Sequence, residues 1–338
     1  MRDPAFWWTD RSAAATLLAP LGACYGAIVA RRMARPGRKV PVPVICVGNF
    51  TLGGAGKTPT AIALARHLLE SGHCPFFLSR GYGGRVAGPV RVESQRAIEV
   101  GDEPLLLGRV APTIVARDRL AGALAAAEGG ADAIVMDDGL QNPSVDKDLA
   151  IAVIDGRRGI GNGRIFPAGP LRAPLEAQLD HIDAVLLVGV AGPAAQRAIE
   201  VAQRHGLPVF HSELRPHPSA VAALTGRPVL AFAGIADPAK FFATLEAYGI
   251  SATVRRPFPD HHCYTADEMA ALVASAQRDG LTLVTTEKDM ARMSGVPAAA
   301  DLIGRSTVLP VTLTFRDPTA VKAILRDAMQ GQRKPVTP

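Results

Sequence analysis

Gly48-Asn49-Phe50-Thr51-Leu52-Gly53-Gly54-Ala55-Gly56-Lys57-Thr58 is the stretch that decides how this chain is read. Residues 42–47 before it form a short apolar strand pattern. Residues 57–70 after it form a helical one, in which Ile62, Leu64, Ala65, Leu68 and Leu69 supply the apolar surface. A glycine-rich turn between strand and helix is the context of a phosphate-holding loop. Small residues let backbone N–H groups turn inward as an anion nest, and the helix that follows adds its positive end. The expected cradle for ATP is Thr51, Leu52, Gly53, Gly54, Ala55, Gly56, Lys57 and Thr58. Lys57 is expected to reach the β- and γ-phosphates, and Thr58 to offer its hydroxyl to Mg²⁺. Pro59 suits a first helical turn, where a missing N–H costs little. One position is irregular: Thr51 stands where the usual pattern has its first glycine.

A second signal lies about 80 residues on. The apolar run Ala133-Ile134-Val135-Met136 ends in Asp137-Asp138-Gly139. Acids at the end of a neighbouring parallel strand hold or orient Mg²⁺ beside phosphates, so Thr58, Asp137 and Asp138 are the metal-site candidates. Two adjacent acids also end strands in solvent, and only the nearby phosphate loop favours the functional reading.

Further short apolar runs at 74–78, 113–116, 149–154 and 184–188 read as strands, and 120–128 and 194–205 read as helices. This alternation predicts an α/β fold, a P-loop NTPase-like, mainly parallel sheet flanked by helices. A second, smaller α/β unit begins near Pro228. Its strands are expected at 229–233, 251–255, 281–285 and 308–313, and its helices at 238–248 and 266–277. The expected units are 1–39, an apolar and basic helical segment; 40–225, the kinase core; and 226–330, the C-terminal domain. The polar, proline-containing tail after Gly331 is expected to fray.

With 338 residues, 48% hydrophobic and 20% charged, the chain has material for a substantial core. Four cysteines at 24, 46, 74 and 263 show neither zinc spacing nor a disulfide framework. The net charge of +6 weakly favours an anionic partner. No zinc finger, aromatic RNA-binding repeat or long basic run points to nucleic acid. Residues 12–30 carry no charge, and Arg31, Arg32, Arg35, Arg38 and Lys39 follow with no acid among them. Three placements fit: a helix on or shallowly in a membrane surface, a helix packed on the soluble core, or a true span.

Several stretches, taken together, carry a resemblance. They are 47–59, Ser79-Arg80-Gly81-Tyr82-Gly83, Gly101-Asp102-Glu103-Pro104, Asp137-Asp138-Gly139-Leu140-Gln141, Phe166-Pro167-Ala168-Gly169-Pro170-Leu171-Arg172, Phe258-Pro259-Asp260-His261-His262 and Thr286-Glu287-Lys288-Asp289. Spread in order over about 240 residues, they make the chain closely resemble the lipid A disaccharide 4′-kinases, also called tetraacyldisaccharide 4′-kinases. The resemblance implies transfer of the ATP γ-phosphoryl group to the 4′-hydroxyl of an acylated glucosamine disaccharide 1-phosphate. It also implies a peripheral enzyme on the cytoplasmic face of the bacterial inner membrane, with that lipid and an anionic membrane surface as partners. No obligate protein partner and no nucleic acid are inferred.

The same resemblance points to an Asp–His pair, Asp102 as base with His261 tuning or relaying its charge; His262 is the alternative to His261, and Asp260 is placed to orient either one. Lys57 and the loop amides are to stabilise the transferred phosphoryl group. Arg80 is expected at anionic substrate or nucleotide groups, Gln141 at water or phosphate. Arg172 is expected at a phosphate, unless it is a surface arginine in a proline-rich loop. Leu140 and Asn142 replace an aromatic residue and a histidine common in such families, and Ala173 replaces a glutamate. Read from the loop alone, the alternatives are a P-loop enzyme acting on another phosphorylated metabolite, or a nucleotide-dependent assembly or switch protein.

Overall fold

The computed structural model describes residues 3–331, so the tail expected to fray lies outside them. The strands are β1 (Val44–Asn49), β2 (Pro75–Ser79), β3 (Val90–Arg91), β4 (Thr113–Val115), β5 (Ala133–Asp137), β6 (Leu149–Asp155), β7 (Ala184–Val188), β8 (Val209–Pro216), β9 (Val229–Ala233), β10 (Ala252–Pro257), β11 (Thr282–Thr285), β12 (Ser306–Val308) and β13 (Val311–Phe315). All six residues of β1 are buried, as a central strand covered on both faces must be. It lies inside a nine-stranded sheet ordered β13-β8-β7-β6-β1-β5-β2-β4-β3. The strands from β8 to β4 run parallel, while β13 and β3 are antiparallel edges.

Successive side chains of β1 point to opposite faces. Val44 and Cys46 enter one core, where Ala123, Ala126, Ala198 and Ile199 supply helical cover. Ile45 and Val47 enter the other, against Leu64 and Leu68 of helix Lys57–Glu70 and Val321 and Leu325 of helix Pro318–Met329. Because β1 lies between β5 and β6, the crevice beyond its carboxyl end is the switch point where such sheets take ligands.

The smaller sheet, β10-β9-β11-β12, is wholly parallel and has its own two cores. The unit expected to run unbroken from 226 to 330 needs a correction. The expected strand at 308–313 is split. β12 ends the smaller sheet, whereas β13 crosses back and pairs antiparallel with β8. Leu313 and Phe315 alternate into the core beneath helix Lys57–Glu70, and helix Pro318–Met329 follows them there. The return is stabilised by that apolar burial.

Helix Ala13–Met33 starts at Ser12, whose hydroxyl accepts from the Ala15 N–H at 3.4 Å. It docks by its small residues. A side chain added at Gly22 would lie 2.8 Å from the Ile165 carbonyl oxygen, and one at Gly26 2.6 Å from Ile165 Cδ1. Leu17, Leu21, Tyr25 and Ile28 face outward. The helix is long and apolar enough to cross a membrane, yet one of its faces is packed on the core.

Candidate active site

β1 delivers the phosphate loop to the switch point. Gly53 and Gly56 adopt φ of 93° and 95°, which glycine tolerates without strain. Thr51 is not among the positive-φ residues. It lies buried in an extended bridge with Leu171, so this position needs no glycine. The Leu52 N–H bonds the Pro170 carbonyl at 2.8 Å, and the Arg172 N–H bonds the Phe50 carbonyl at 2.9 Å, which stitches the loop to segment 165–172. Lys57 is buried with Nζ 3.3 Å from both Asn49 Oδ1 and the Gly53 carbonyl, and 3.8 Å from Asp138 Oδ2. A buried ammonium held by weak partners inside an anion nest suits phosphate.

β5 brings Asp137 to the first turn of helix Lys57–Glu70, the one that follows β1. Thr58 Oγ1 donates to Asp137 Oδ2 at 3.0 Å. Asp137 Oδ1 is buried and has no hydrogen-bond partner among the described residues. Burial, then the nearby charge of Glu103, push the Asp137 carboxyl up to about 7. Such a group is short of a positive partner. No cluster of three or more His, Cys, Asp or Glu able to hold a metal occurs among the described residues. The donor set is therefore one carboxylate and one hydroxyl, which fits an ion that completes its shell with phosphate oxygens and water.

Asp138 has a different environment. At φ 60° it turns away from Asp137 and takes a two-pronged ion pair from Arg172, Nη1 to Oδ1 at 2.8 Å and Nη2 to Oδ2 at 3.1 Å. Burial would raise its carboxyl, but Lys57 and Arg172 outweigh that and hold it well below the usual range. Arg172 also donates from Nε to the Thr51 carbonyl at 2.9 Å and from Nη1 to Gln141 Oε1 at 3.3 Å. Gln141 Nε2 bonds the Asn49 carbonyl and Gln178 Oε1, both at 2.8 Å. Arg172 and Gln141, expected at substrate, thus direct their polar atoms to bracing the loop. Arg80 lies exposed just beyond β2.

The departures settle locally. Leu140 is buried against Gly48, where any added side chain would lie 2.4 Å from its Cβ. Asn142 Oδ1 accepts from the Ser144 N–H and hydroxyl at 2.9 and 2.6 Å. Ala173 is buried, and its carbonyl accepts from Gln178 Nε2 at 2.9 Å.

Asp102 lies on a helix packed with the larger sheet and His261 on the loop after β10 of the smaller one, and the two side chains meet between these units. Asp102 opens helix Asp102–Leu107, where the helix end favours a carboxylate. Its Oδ1 accepts from the Glu103 N–H at 2.9 Å, and its Oδ2 faces His261 Nδ1 at 3.2 Å. Burial of the Asp102 carboxyl acts to raise it, but His261, Lys288 and Arg292 hold it far below the usual range. His261 has φ 54°, an uncommon backbone for a non-glycine residue, fixed by its N–H to the Gly234 carbonyl at 3.1 Å. Burial lowers its imidazole, and the Asp102 partner more than reverses this, so its pKa is raised. Asp102 is buried, His261 is partly open, and the exposed Tyr82 ring lies 5.0 Å from the imidazole.

Three basic residues at this cleft carried no expected role. Arg119 is 3% exposed and donates from Nη1 to the Ala116 carbonyl at 2.5 Å. Its Nε is buried with no partner among the described residues. Lys288 Nζ pairs with Glu103 Oε1 at 2.6 Å, and Arg292 Nη2 pairs with Asp102 Oδ2. The fourfold spacing of Lys288 and Arg292 just after a strand was the available sequence signal for those two.

Comparisons with known proteins place the chain in one family. Residues 14–330 match the model of the family described as LpxK, tetraacyldisaccharide-1-P 4′-kinase. A tetraacyldisaccharide 4′-kinase of Methylobacterium nodulans is 61% identical, over 99% of this chain and 98% of that one. Another from a Bradyrhizobium species is 52% identical over the same shares. The crystal structure of LpxK from Aquifex aeolicus in complex with ATP has 25% identity and a TM-score of 0.71, covering 93% of this chain and 99% of that one. With residues 14–330 matched by the family model and 93% of the chain matched by a solved structure of that family, the chain belongs to the tetraacyldisaccharide-1-P 4′-kinase family.

Proposed function

We propose that this enzyme transfers the γ-phosphoryl group of ATP to the 4′-hydroxyl of an acylated glucosamine disaccharide 1-phosphate, a step of lipid A biosynthesis. The observation that carries the reading is the Asp102–His261 pair, a carboxylate and an imidazole 3.2 Å apart in a chain that also holds the Lys57 cradle. A switch protein needs no such proton acceptor.

In the reaction the acceptor oxygen bonds to γ-phosphorus as the bond to the β–γ bridging oxygen breaks, and ADP leaves. A sugar hydroxyl is a poor nucleophile unless its proton has somewhere to go. The proton passes to the Asp102–His261 pair. Asp102, assigned as the base, is buried with Oδ2 already engaged, which supports the relay form of the assignment. His261 Nε2 is the nitrogen not engaged by Asp102, with Asp260 Oδ2 3.7 Å away, and the Asp102 carboxylate balances the imidazolium that forms. Lys57 and the loop N–H groups stabilise charge on the transferred group. Mg²⁺, held by Thr58 and Asp137, would neutralise phosphate charge. Asp138 supports this set without direct ligation, because Arg172 occupies both its oxygens. Arg80, exposed just beyond β2, would meet anionic parts of the acceptor or nucleotide.

Functionally the units are the core at 40–225 with its returning segment 311–330, and the smaller domain that carries His261. Helix Ala13–Met33 rests its small-residue face on the core and turns Leu17, Leu21 and Ile28 outward, with Arg31, Arg32 and Arg35 exposed at its end. This supports peripheral or shallow insertion at the anionic cytoplasmic face of the inner membrane, where the acylated acceptor resides. The decisive test is incubation with labelled ATP and acylated disaccharide 1-phosphate. Labelled lipid is expected; its absence while a control kinase works would sink the reading.

A further inference from the structure

Helix Glu287–Met293 begins where β11 ends. Thr286 caps it, accepting from the Asp289 N–H at 3.2 Å. Lys288 and Arg292, four residues apart, share one face of the helix. That face meets Asp102 and Glu103, the first two residues of helix Asp102–Leu107 in the other domain.

The two basic residues are held differently. Lys288 makes a single contact to Glu103 and is partly open to solvent. Arg292 is buried and anchored within its own domain before it reaches across. Its Nη1 bonds Asp289 Oδ1 at 2.9 Å and the Gly234 carbonyl at 3.0 Å. Asp289 has no exposed surface. Its Oδ1 also accepts from the Gly234 N–H at 2.9 Å and the Tyr264 hydroxyl at 2.8 Å, and its Oδ2 accepts from the Thr286 hydroxyl at 2.6 Å. All of Asp289 is thus spent on fixing local structure around Arg292. Gly234 is packed tightly here: an added Cβ would lie 3.1 Å from Asp289 Oδ1, 3.2 Å from Arg292 Nη1 and 3.2 Å from His262 Cβ, so these groups would have to give way. The carbonyl of Gly234 also receives the His261 N–H. His261 and Arg292 therefore hang from one carbonyl oxygen at the end of β9, and both grip one oxygen, Oδ2, of Asp102.

We propose that Arg292 is a positioning residue for phosphoryl transfer, which fixes the Asp102 carboxylate in one rotamer and through it the imidazole of His261. The inference rests on the reading of Asp102 and His261 as the pair that takes the hydroxyl proton. Arg292 also sets the charge that the pair feels. The groups facing Asp102 and His261 are Arg292 and Lys288 from this helix, Asp260 on the preceding loop, Glu103 next in the chain, and the Tyr82 ring. With Arg292 removed and the others kept, the positive charge on the pair falls, and protons bind it more tightly.

The experiment compares R292K, R292M and D102N in the full chain, with ATP and acylated disaccharide 1-phosphate, across the acid limb of the pH profile. Lysine is a point charge that cannot fork between the Gly234 carbonyl and Asp102. R292K is therefore expected to keep the wild-type KM for ATP while kcat falls about tenfold. In R292M the acid limb moves up by about one pH unit. A mere inter-domain staple would change stability or the KM for ATP and leave the limb in place. If R292M does not fold, R292K alone decides, and a wild-type kcat there overturns the inference. Lost turnover in D102N beside wild-type behaviour in R292K overturns this inference alone. Full turnover in D102N overturns the reading of the pair, and the inference with it.

Discussion

The two halves of the proposed site are built on different scales. The donor half lies within eleven consecutive residues, Gly48 to Thr58, completed by the end of one neighbouring strand. The acceptor half joins Asp102 to His261 across 159 positions and two sheets, and it exists only while the domains stay together. Paired charges hold them at both ends of the cleft, Lys288 with Glu103 and Arg292 with Asp102 at one, Lys240 with Asp155 at 2.6 Å and Arg157 with Asp237 at the other. The difference teaches where damage should spread. A donor fault acts on nucleotide whatever the acceptor. An acceptor fault spares the nucleotide and stops transfer.

The largest effect is expected on the acceptor side. Asp102→Asn should lower kcat on the order of a thousandfold while ATP affinity, measured by equilibrium binding, stays near wild type. Parallel loss of ATP affinity would erase the distinction between the halves. Lys57→Met should cost on the order of a hundredfold in kcat and weaken ATP binding as well, because it removes charge from the cradle itself. Turnover that survives the change would remove Lys57 from the chemistry.

His261 gives the comparison a pH dependence. Its pKa is raised in the folded protein by Asp102, despite burial. Protonated His261 therefore contributes stability that is fully present below the unfolded pKa and is lost as pH rises through the folded pKa. Turnover has the opposite slope, because only the neutral ring takes the proton. Across the window above the ordinary imidazole value, thermal stability should fall as kcat rises, and His261→Gln should flatten both curves. A stability slope that persists in His261→Gln would assign it to another group.

A smaller effect tests the bracing behind the donor half. Arg172→Ala leaves Asp138 without its two-pronged partner and frees the Thr51 carbonyl, at a cost of about 1–3 kcal/mol in stability. The KM for ATP should rise about tenfold, with kcat little changed. A fall in acceptor affinity alone would return Arg172 to the substrate, as its place in the sequence first suggested.

These scales also explain what could be read in advance. Strands such as β1, β5 and β7 are continuous apolar runs bounded by glycine or acid, and the phosphate loop is local, so both were visible residue by residue. β8, with His211, Glu213 and Arg215 along it, lacks that apolar signal, and its partner β13 is almost 100 residues away. Nothing local says that Val311 to Phe315 returns to the larger sheet. Asp102 and His261 were legible only through resemblance, since neither carries its partner nearby. No role was read for Arg119, Lys288 or Arg292, because the groups around them come from elements distant in the chain.

The smallest effect on chemistry is expected farthest from both halves. Leu17, Leu21 and Ile28 are 81%, 60% and 68% exposed on one side of helix Ala13–Met33, while Gly22 and Gly26 seat the other side on Ile165 and Pro174. Replacing the three apolar residues by serine removes side chains worth about 1.5–3 kcal/mol each when fully buried, so even shallow insertion would weaken measurably. Liposome partitioning should fall, while kcat on a detergent-dispersed acceptor stays at the wild-type value. Gly26→Leu should do the reverse. It forces a side chain into Ile165, beside the segment that braces Thr51, and should disturb ATP binding before it disturbs the membrane. If the serine variant instead lost activity on the dispersed acceptor, the exposed face would belong to the acceptor site, and the cleft would have a third component besides its two domains.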